Sequence, residues 1–570
     1  MAAFWRVQSQ DVPRASALAA ELGIEPLTAQ LLLNRGVSTH AAAVKFLSPS
    51  LDRLDDPGAL PDMERAIDRL RRAITQQEPI AIFGDSDVDG LTASVILYEV
   101  LHRLGARLSA RQSNRLADGY GVPASFIQQA CGSSTKLAIF VDCGTNQPDA
   151  VRALSQCGID TIIIDHHVPL DGWAEPVALI NPHRSHGQGR ELCSAGIAFK
   201  VVQALVDSQA QDPRHADLTD ALVASLDLAA LGTLADCAPL IGESRLIVSQ
   251  GLAHIVRSRR RGLQRLCEST NTREPEPEQV LRRLVPRLNA SGRLGDPAAV
   301  WTLLLSAGDG ALDEPFAENA AAHATTKQLH RQILSEAHEQ VNRLHFRDQY
   351  VMVISRNGWH QGIMGSLAAQ LAQQYGRPAI AIAVNEHHGI GSGRSFSGFN
   401  LLEALQGCQE LLVRFGGHAQ ACGLTVDRAQ LEPFRARINH HARQLIGNEG
   451  LVATRTIDAE LSLEAVTVRW AEEVGRLAPF GIGNPRPTVV IRRLRLDVRS
   501  PRIGVLSDGA REVAARGPFA ELTSGGWYDV VATPVMCGGV LTLTVSDVKD
   551  AAAPSTPGRI SGTPCTSELA

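Results

Sequence analysis

IAIFGDSDVDG, residues 80–90, joins a short apolar run to three alternating aspartates and closes on glycine. Ile80–Phe83 reads as a buried strand, and Asp85, Asp87 and Asp89 follow it directly. Carboxylates at alternate positions near a strand end can converge on a hard divalent cation, which takes oxygen ligands. An EF-hand loop opens in the same way, but the Glu it needs at its twelfth position is missing and a helical pattern, Leu91–Leu104, follows instead. Further β-rich runs recur at Leu137–Val141, Thr161–Ile164 and Val177–Ile180, with Pro148–Cys157 helical between two of them. This rhythm predicts an α/β fold with a doubly wound parallel sheet. Asp85, Asp142 and Asp165 stand at the ends of three such strands. Ligands of these sheets bind at the carboxyl ends of the strands, so segments far apart in sequence are expected to share one cleft.

The residue types expected in that cleft point to metal chemistry. Asp142 ends an apolar strand in FVDCG; as a single residue it could equally cap the following helix. Asp165-His166-His167 puts two imidazoles behind an acid at a strand end, and mixed His/Asp ligation favours Mn. Asp236, in LGTLADCAPL, is an acid in an apolar segment and needs a partner, which a cation would supply. Four segments thus bring carboxylates and imidazoles but no thiolates. Two cations bridged by one carboxylate would activate a water and stabilise an in-line phosphoryl displacement, so phosphoester hydrolysis is the favoured reaction class. Other segments suit a phosphate-rich substrate: SNRLADGYG with Asn114 and Arg115, PRLNASGR with Arg287, Asn289 and Arg293, GSGRS read as a Gly-rich turn carrying Ser392 and Arg394, and FGGHAQACG with His418.

Composition narrows the class. Lys and Arg total 55 against 60 Asp and Glu, a net charge of -5, which excludes a globally basic nucleic-acid coat but not a local basic groove. Aromatic residues are 4%, so base stacking would rest on individual rings. Ten cysteines without a CxxC are expected to be reduced thiols of a cytoplasmic protein. MAAFWRVQSQDVPR reaches polar residues and Pro13 too soon for a signal peptide. The apolar window Ala221–Gly242 would have to bury Asp227 and Asp236 in lipid, so no membrane segment is expected.

The chain is expected to divide into an N-terminal helical region (1–75), a catalytic α/β domain (76–312), a linker helix (313–345), a smaller α/β domain (346–450), a β domain of small-barrel (OB-like) or sandwich type (451–550) and a disordered tail (551–570).

The motif order GDSDVDG, SNRLADGYG, FVDCG, DHH, LGTLAD, PRLNASGR, GSGRS and FGGH resembles the RecJ family of single-strand-specific 5′→3′ exonucleases, in the DHH phosphoesterase superfamily. The likeness runs from about residue 24 to the GGH segment and more weakly to about 548. It implies a DHH domain, a DHH-associated domain and a C-terminal OB-fold. It further implies Mn2+ or Mg2+, two per site, on Asp87, Asp89, Asp142, His166 and Asp236, with Asp142 bridging. His167, with Asp142 and Asp85, is implied in catalysis. Asn114, Arg115, Arg287, Asn289, Arg293, Ser392, Arg394 and His418 are implied along the strand. Single-stranded DNA is the implied partner, with a single-strand-binding protein and a helicase as further ones. Two rival readings are a DHH phosphodiesterase of short oligonucleotides or cyclic dinucleotides and a non-catalytic RecJ-like scaffold. Phe83 stands where some DHH enzymes place a metal-binding His, which leaves one of the two metal positions poorer in ligands and weaker.

Overall fold

The computed structural model describes residues 4–274, 276–305, 312–344, 349–447 and 454–552. The chain forms two compact units.

The larger unit runs from Pro49 to Ala453 and adds Pro479–Asn484. Its first sheet is wholly parallel: β1 (Pro79–Gly84), β2 (Arg107–Gln112), β3 (Leu137–Val141), β4 (Asp160–Ile164) and β5 (Ala178–Ile180), in the order β2-β1-β3-β4-β5. Alternation along each strand sends side chains to two apolar layers. Ile80, Ile82, Ile139, Val141, Ile162 and Ile164 pack with α1 (Met63–Thr75), α2 (Val88–Arg103), α5 (Ser194–Asp207) and α6 (Leu226–Ala235). Ala81, Phe83, Ala138, Phe140 and Ile163 face α3 (Ala124–Cys131) and α4 (Pro148–Gln156). Phe83 is fully buried there, its ring 4.9 Å from that of Phe126.

Strand β2, RLSARQ, has no counterpart in the sequence reading. It is an edge strand with largely exposed side chains, so it lacks the apolar run that marks its neighbours. The cysteine expectation also needs correcting, because Cys131 and Cys157 form a disulfide, their Cα atoms 5.6 Å apart. These residues lie at the C-terminal ends of α3 and α4, which the crossover topology sets side by side, an adjacency their spacing of 26 residues does not reveal.

His215–Ala235 is long and apolar enough to cross a membrane, but it is 67% buried inside this unit. Asp227, within it, accepts from Ser258 Oγ at 2.5 Å and pairs with Arg260 at 3.2 Å. A π-helical turn, Val280–Leu284, follows Arg261–Ser269 and the short Pro277–Gln279 and leads into α7 (Val285–Arg293). α8 (Asp313–Val341) then connects to the second sheet. That sheet comprises β6 (Met352–Asn357), β7 (Ala379–Val384), β8 (His388–Arg394), β9 (Leu412–His418) and β10 (Ala421–Asp427), ordered β9-β10-β8-β7-β6, with α9 (Met364–Tyr375) after β6.

GSGRS is not a turn. Gly391–Arg394 belong to β8, antiparallel to both β7 and β10. Its glycines serve packing. A Cβ on Gly389, Gly391 or Gly393 would lie 2.7, 2.9 or 2.7 Å from Ile382, Ile382 or Leu401. The period of two then sends Ser392 and Arg394 to the opposite face.

The smaller unit combines Phe4–Ser48, Thr454–Ala478 and the chain from Pro485. The helical pattern expected over 1–75 is therefore divided: Val12–Leu22, Pro26–Asn34 and His40–Leu47 belong here, and Met63–Thr75 to the larger unit. Phe4–Val7 pairs in parallel with Thr454–Ile457. Val489–Ser500, Ile503–Ser507, Glu512–Arg516, Val540–Asp550 and Trp527–Cys537 form a continuous ladder that closes through pairing of the first with the last, a five-stranded barrel of OB type, with Ala459–Leu461 beside the first strand. Of the tail expected to be disordered, residues 553–570 lie outside the described residues.

Candidate active site

Three aspartates extend the parallel ladder one step past the strands. The N–H groups of Asp85, Asp142 and Asp165 donate to the carbonyls of Val141, Ile164 and Ile180 at 3.2, 2.9 and 3.2 Å. One register row thus sets three acids side by side at the carboxyl edge. Asp142 has φ +61°, a left-handed backbone that costs a non-glycine residue on the order of 1 kcal/mol and tends to persist where function requires it.

The other donors arrive from helix ends. Asp87 caps α2, accepting from the N–H groups of Asp89 and Gly90 at 3.1 Å each. Asp89, in the first turn, is held by the N-terminus of α5: Ser194 N–H donates to Oδ2 and Ala195 N–H to Oδ1, both at 2.8 Å. The Ser194 hydroxyl donates to Asp142 Oδ1 at 2.9 Å. Ser194 was not among the sequence candidates; nothing in LCSAGIAF marks it as bridging two acids. Asp236 terminates α6, where the helix dipole disfavours an anion, and burial with nearby Asp89 and Asp87 raises its carboxyl to about 7.

These groups converge. His166 Nε2 lies 3.4 Å from Asp142, 3.9 Å from Asp89 and 3.9 Å from Asp236. Asp85, Asp87 and Asp142 form a second group and Asp142, His166 and His167 a third, each with donor atoms within 4.8 Å of one another. Burial and the adjacent Asp89 and Asp87 push Asp142 well above the usual carboxylate range. Burial lowers the His166 imidazole, but its hydrogen bond to Asp142 and the surrounding acids outweigh this and hold it well above its ordinary value. Buried like charges of this density fit a bound divalent cation, and an oxygen-and-imidazole donor set without thiolate suits Mn or Mg.

His167 is oriented by Asp165, Nδ1 to Oδ1 at 2.7 Å; that charge raises the imidazole to about 9. Asp165 also accepts from Thr145 N–H at 3.1 Å, and Asn181 donates to the His167 carbonyl at 2.8 Å. Asp85 has both oxygens engaged, one by Ser86 N–H at 2.7 Å and one by the Arg115 guanidinium, which lies 4.6 Å from the Tyr120 ring centroid. Burial raises the Asp85 carboxyl, with Arg115 opposing. Cys143 is buried, and burial pushes its thiol well up, as befits an inert side chain.

Motif glycines allow the close packing. A Cβ at Gly232 would lie 2.5 Å from Ala195 Cβ and Thr92 Oγ1 and 2.9 Å from Asp89 Oδ1; one at Gly292 would lie 2.6 Å from the Ser86 carbonyl.

The second sheet supplies the remaining candidates. Arg394 donates to Ser392 Oγ at 3.0 Å and to the Gly393 carbonyl at 2.8 Å. Both side chains lie beside the N-terminus of α9, because a Cβ on Gly365 would be 3.2 Å from Arg394 Nη2 and 3.4 Å from Ser392 Oγ. A guanidinium, a hydroxyl and a helix N-terminus together suit a phosphate. Arg293 is close enough for its charge and that of Arg394 to oppose each other. His418 is lowered by burial first and then by Arg394, His167 and His166, which puts the end of β9 in electrostatic reach of the DHH histidines.

Other candidates are tied to the scaffold. Asn114 Oδ1 accepts from Ala117 N–H at 3.1 Å, capping its own turn, and Asp118, paired with Arg111 at 2.9 Å, braces the same loop. Arg287 donates to Asn319 at 2.7 Å from α7. Asn289 is half-buried on the same helix.

Three family models match the chain: DHH family, N-terminal domain over residues 79–233, DHHA1 domain over 348–444 and RecJ OB domain over 457–505. The single-stranded-DNA-specific exonuclease RecJ of Bacillus subtilis is 34% identical over 87% of this chain, which spans 62% of that protein. The protein of the same name from Dickeya dadantii is 32% identical over 81% of this chain and 82% of its own length. The crystal structure of RecJ in complex with Mn2+ from Thermus thermophilus superposes with a TM-score of 0.82 at 26% identity, covering 96% of this chain and 80% of that one. With its acids in one row and its three matched domains in this order, the chain belongs to the RecJ family of DHH phosphoesterases.

Proposed function

We propose that this chain is a divalent-metal-dependent exonuclease that removes nucleotides from the 5′ end of single-stranded DNA. The observation that carries the reading is the buried Asp/His cluster, with Asp142 common to two of its groups, and with Arg394 and His418 in electrostatic reach of its imidazoles. Asp87, Asp89, Asp142, His166 and Asp236 would hold Mn2+ or Mg2+. The cations would supply an activated water and neutralise charge on the phosphate. His167, fixed by Asp165, donates a proton or hydrogen bond to the scissile phosphate. Asp85 holds Arg115 over the strand. Ser392 orients Arg394, and Arg394, His418 and Arg293 position phosphates. The polarity, the cytoplasmic setting and partnership with a single-strand-binding protein and a helicase are supported by the family relationship. The proposed boundaries, 76–312 for catalysis and 346–450 for strand holding, are supported by the metal-holding residues falling in the first range and Ser392, Arg394 and His418 in the second. The intact donor set weighs against a non-catalytic scaffold, and the barrel domain against a short-substrate phosphodiesterase.

The test is digestion of single-stranded and blunt duplex DNA, labelled at either end, with Mn2+, Mg2+ or EDTA. Mononucleotide release from the 5′ end of single strands, abolished by EDTA, is expected. Equal rates on duplex, or metal-independent cleavage, would overturn the reading.

A further inference from the structure

The Cys131–Cys157 disulfide closes one end of a helix pair whose other end adjoins the catalytic edge. α3 and α4 pack on the same face of the first sheet, with Phe126, Ala130, Val151 and Leu154 buried there. At their N-terminal ends Gln147, the N-cap of α4, accepts from Val122 N–H at 2.9 Å, and its amide nitrogen donates to the Val122 carbonyl at 3.4 Å. At their C-terminal ends Cys131, the last residue of α3, is bonded to Cys157, the C-cap of α4. α3 has only 8 residues, too few to be stable alone, so its position depends on these anchors. The N-terminal anchor bears on the active site from two directions. Val122 ends the loop that carries Arg115 and Tyr120, and Arg115 is the partner of Asp85. Gln147 ends the segment that starts at Asp142 and includes Thr145, whose N–H donates to Asp165 at 3.1 Å. Cys157 is exposed and Cys131 half-buried, so thiols in solution can reach the bond. Exposed disulfides are the labile ones.

We propose that Cys131–Cys157 is a redox-responsive clamp on the Arg115 loop. As a disulfide it holds α3 against α4 and keeps Arg115 on Asp85; reduction frees the end of α3, loosens the loop and weakens engagement of the substrate. The co-reactant is a dithiol, small or borne by a protein. Its thiolate attacks Cys157 Sγ, the S–S bond breaks, and Cys131 leaves as a thiolate that takes up a proton. The second thiol of the reductant then attacks the mixed disulfide, which releases Cys157 and leaves the reductant as its own disulfide. The protein gains two electrons and two protons, the reductant loses them, and the reverse exchange restores the clamp. The effect on digestion rests on the single-strand reading above. In the cytoplasmic setting proposed there, thiol reductants act on the bond continually.

Steady-state digestion of labelled single strands with Mn2+ tests this on the full chain. The protein is reduced with dithiothreitol, desalted, and compared with a portion reoxidised by oxidised dithiothreitol. KM should be about fivefold higher in the reduced form, as expected when the loop holds Arg115 in place about a fifth of the time, while kcat stays within about twofold. Hydrogen exchange over residues 113–131 should quicken on reduction, with β3 unchanged. Cys131→Ser/Cys157→Ser should match the reduced form and ignore the redox treatment. The reduced and reoxidised wild-type forms share one sequence, so their comparison stands even where that variant folds poorly. Arg115→Ala should raise KM and remove its dependence on redox state. Equal KM in the two forms, or a redox effect that persists in Arg115→Ala, would overturn the clamp and leave the disulfide a structural staple. A loss of Mn2+ affinity or a collapse of kcat on reduction would place the effect at the metal centre and also overturn it. Absence of digestion in both forms would count against the single-strand reading, while a redox difference in exchange over 113–131 would still uphold the clamp.

Discussion

Gly232→Ala separates the stability of the fold from the geometry of its centre. Gly232 lies inside α6, where alanine is intrinsically favoured over glycine by about 1 kcal/mol. The added methyl would sit 2.5 Å from Ala195 Cβ and Thr92 Oγ1 and 2.9 Å from Asp89 Oδ1. Relieving such overpacking costs about 1–3 kcal/mol, so net destabilisation should be only about 0–2 kcal/mol. Relief requires the contacts to open by roughly 1 Å, and the two helices that would move carry Asp236 and the N–H donors to Asp89. Misplacement by that distance can cost about 100-fold in rate. Urea unfolding, Mn2+ titration and single-strand digestion should therefore show a modest stability loss, weakened metal binding and a collapse in kcat. Activity within about threefold of wild type would refute the reasoning, since α6 would then yield without disturbing Asp89.

Asp142→Ala should abolish cleavage while single-strand binding survives in EDTA, because Arg and Lys contacts supply most of that affinity; parallel loss of both in a folded variant would make Asp142 structural. With Asp85 engaged by Arg115 and Phe83 in the core, the Asp87 side of the cluster has few free donors. Calorimetry should find one tight and one weak Mn2+ equivalent, the weak one tightened by a non-hydrolysable oligonucleotide; two equally tight sites without DNA would refute this. Oxidised protein unfolded in denaturant should show eight reactive thiols of its ten, since Cys131 and Cys157 are joined. Closing their loop should stabilise the larger unit by about 3.5 kcal/mol on the chain-entropy model, so equal denaturant midpoints for the oxidised protein and Cys131→Ser/Cys157→Ser would count against the bond.

Much of this protein is legible along the chain because its chemistry is local. The apolar runs before Asp85, Asp142 and Asp165 mark strands, and acids at strand ends in a parallel sheet must meet at one edge. The alternating β pattern after 451 likewise signals a barrel or a sandwich, and pairing of the first strand with the last makes it a barrel. Other features depend on which elements become neighbours. Strand β2 carries no apolar run because only pairing with β1 makes it a strand. GSGRS looks like a turn until β7, β10 and Leu401 are seen to crowd its glycines from outside the segment. Ser194 spans Asp89 and Asp142 although they stand 105 and 52 residues away. Residues 4–48 share a unit with a barrel more than 400 residues further along the chain: Phe4–Val7 pairs in parallel with Thr454–Ile457, and Trp5, Val7 and Ile457 pack with Val490 and Val531 of the barrel. Period and residue type determine what a segment can be. Contacts across long separations determine what it faces, and at this centre those contacts set the carboxylate spacing on which a pair of divalent cations would depend.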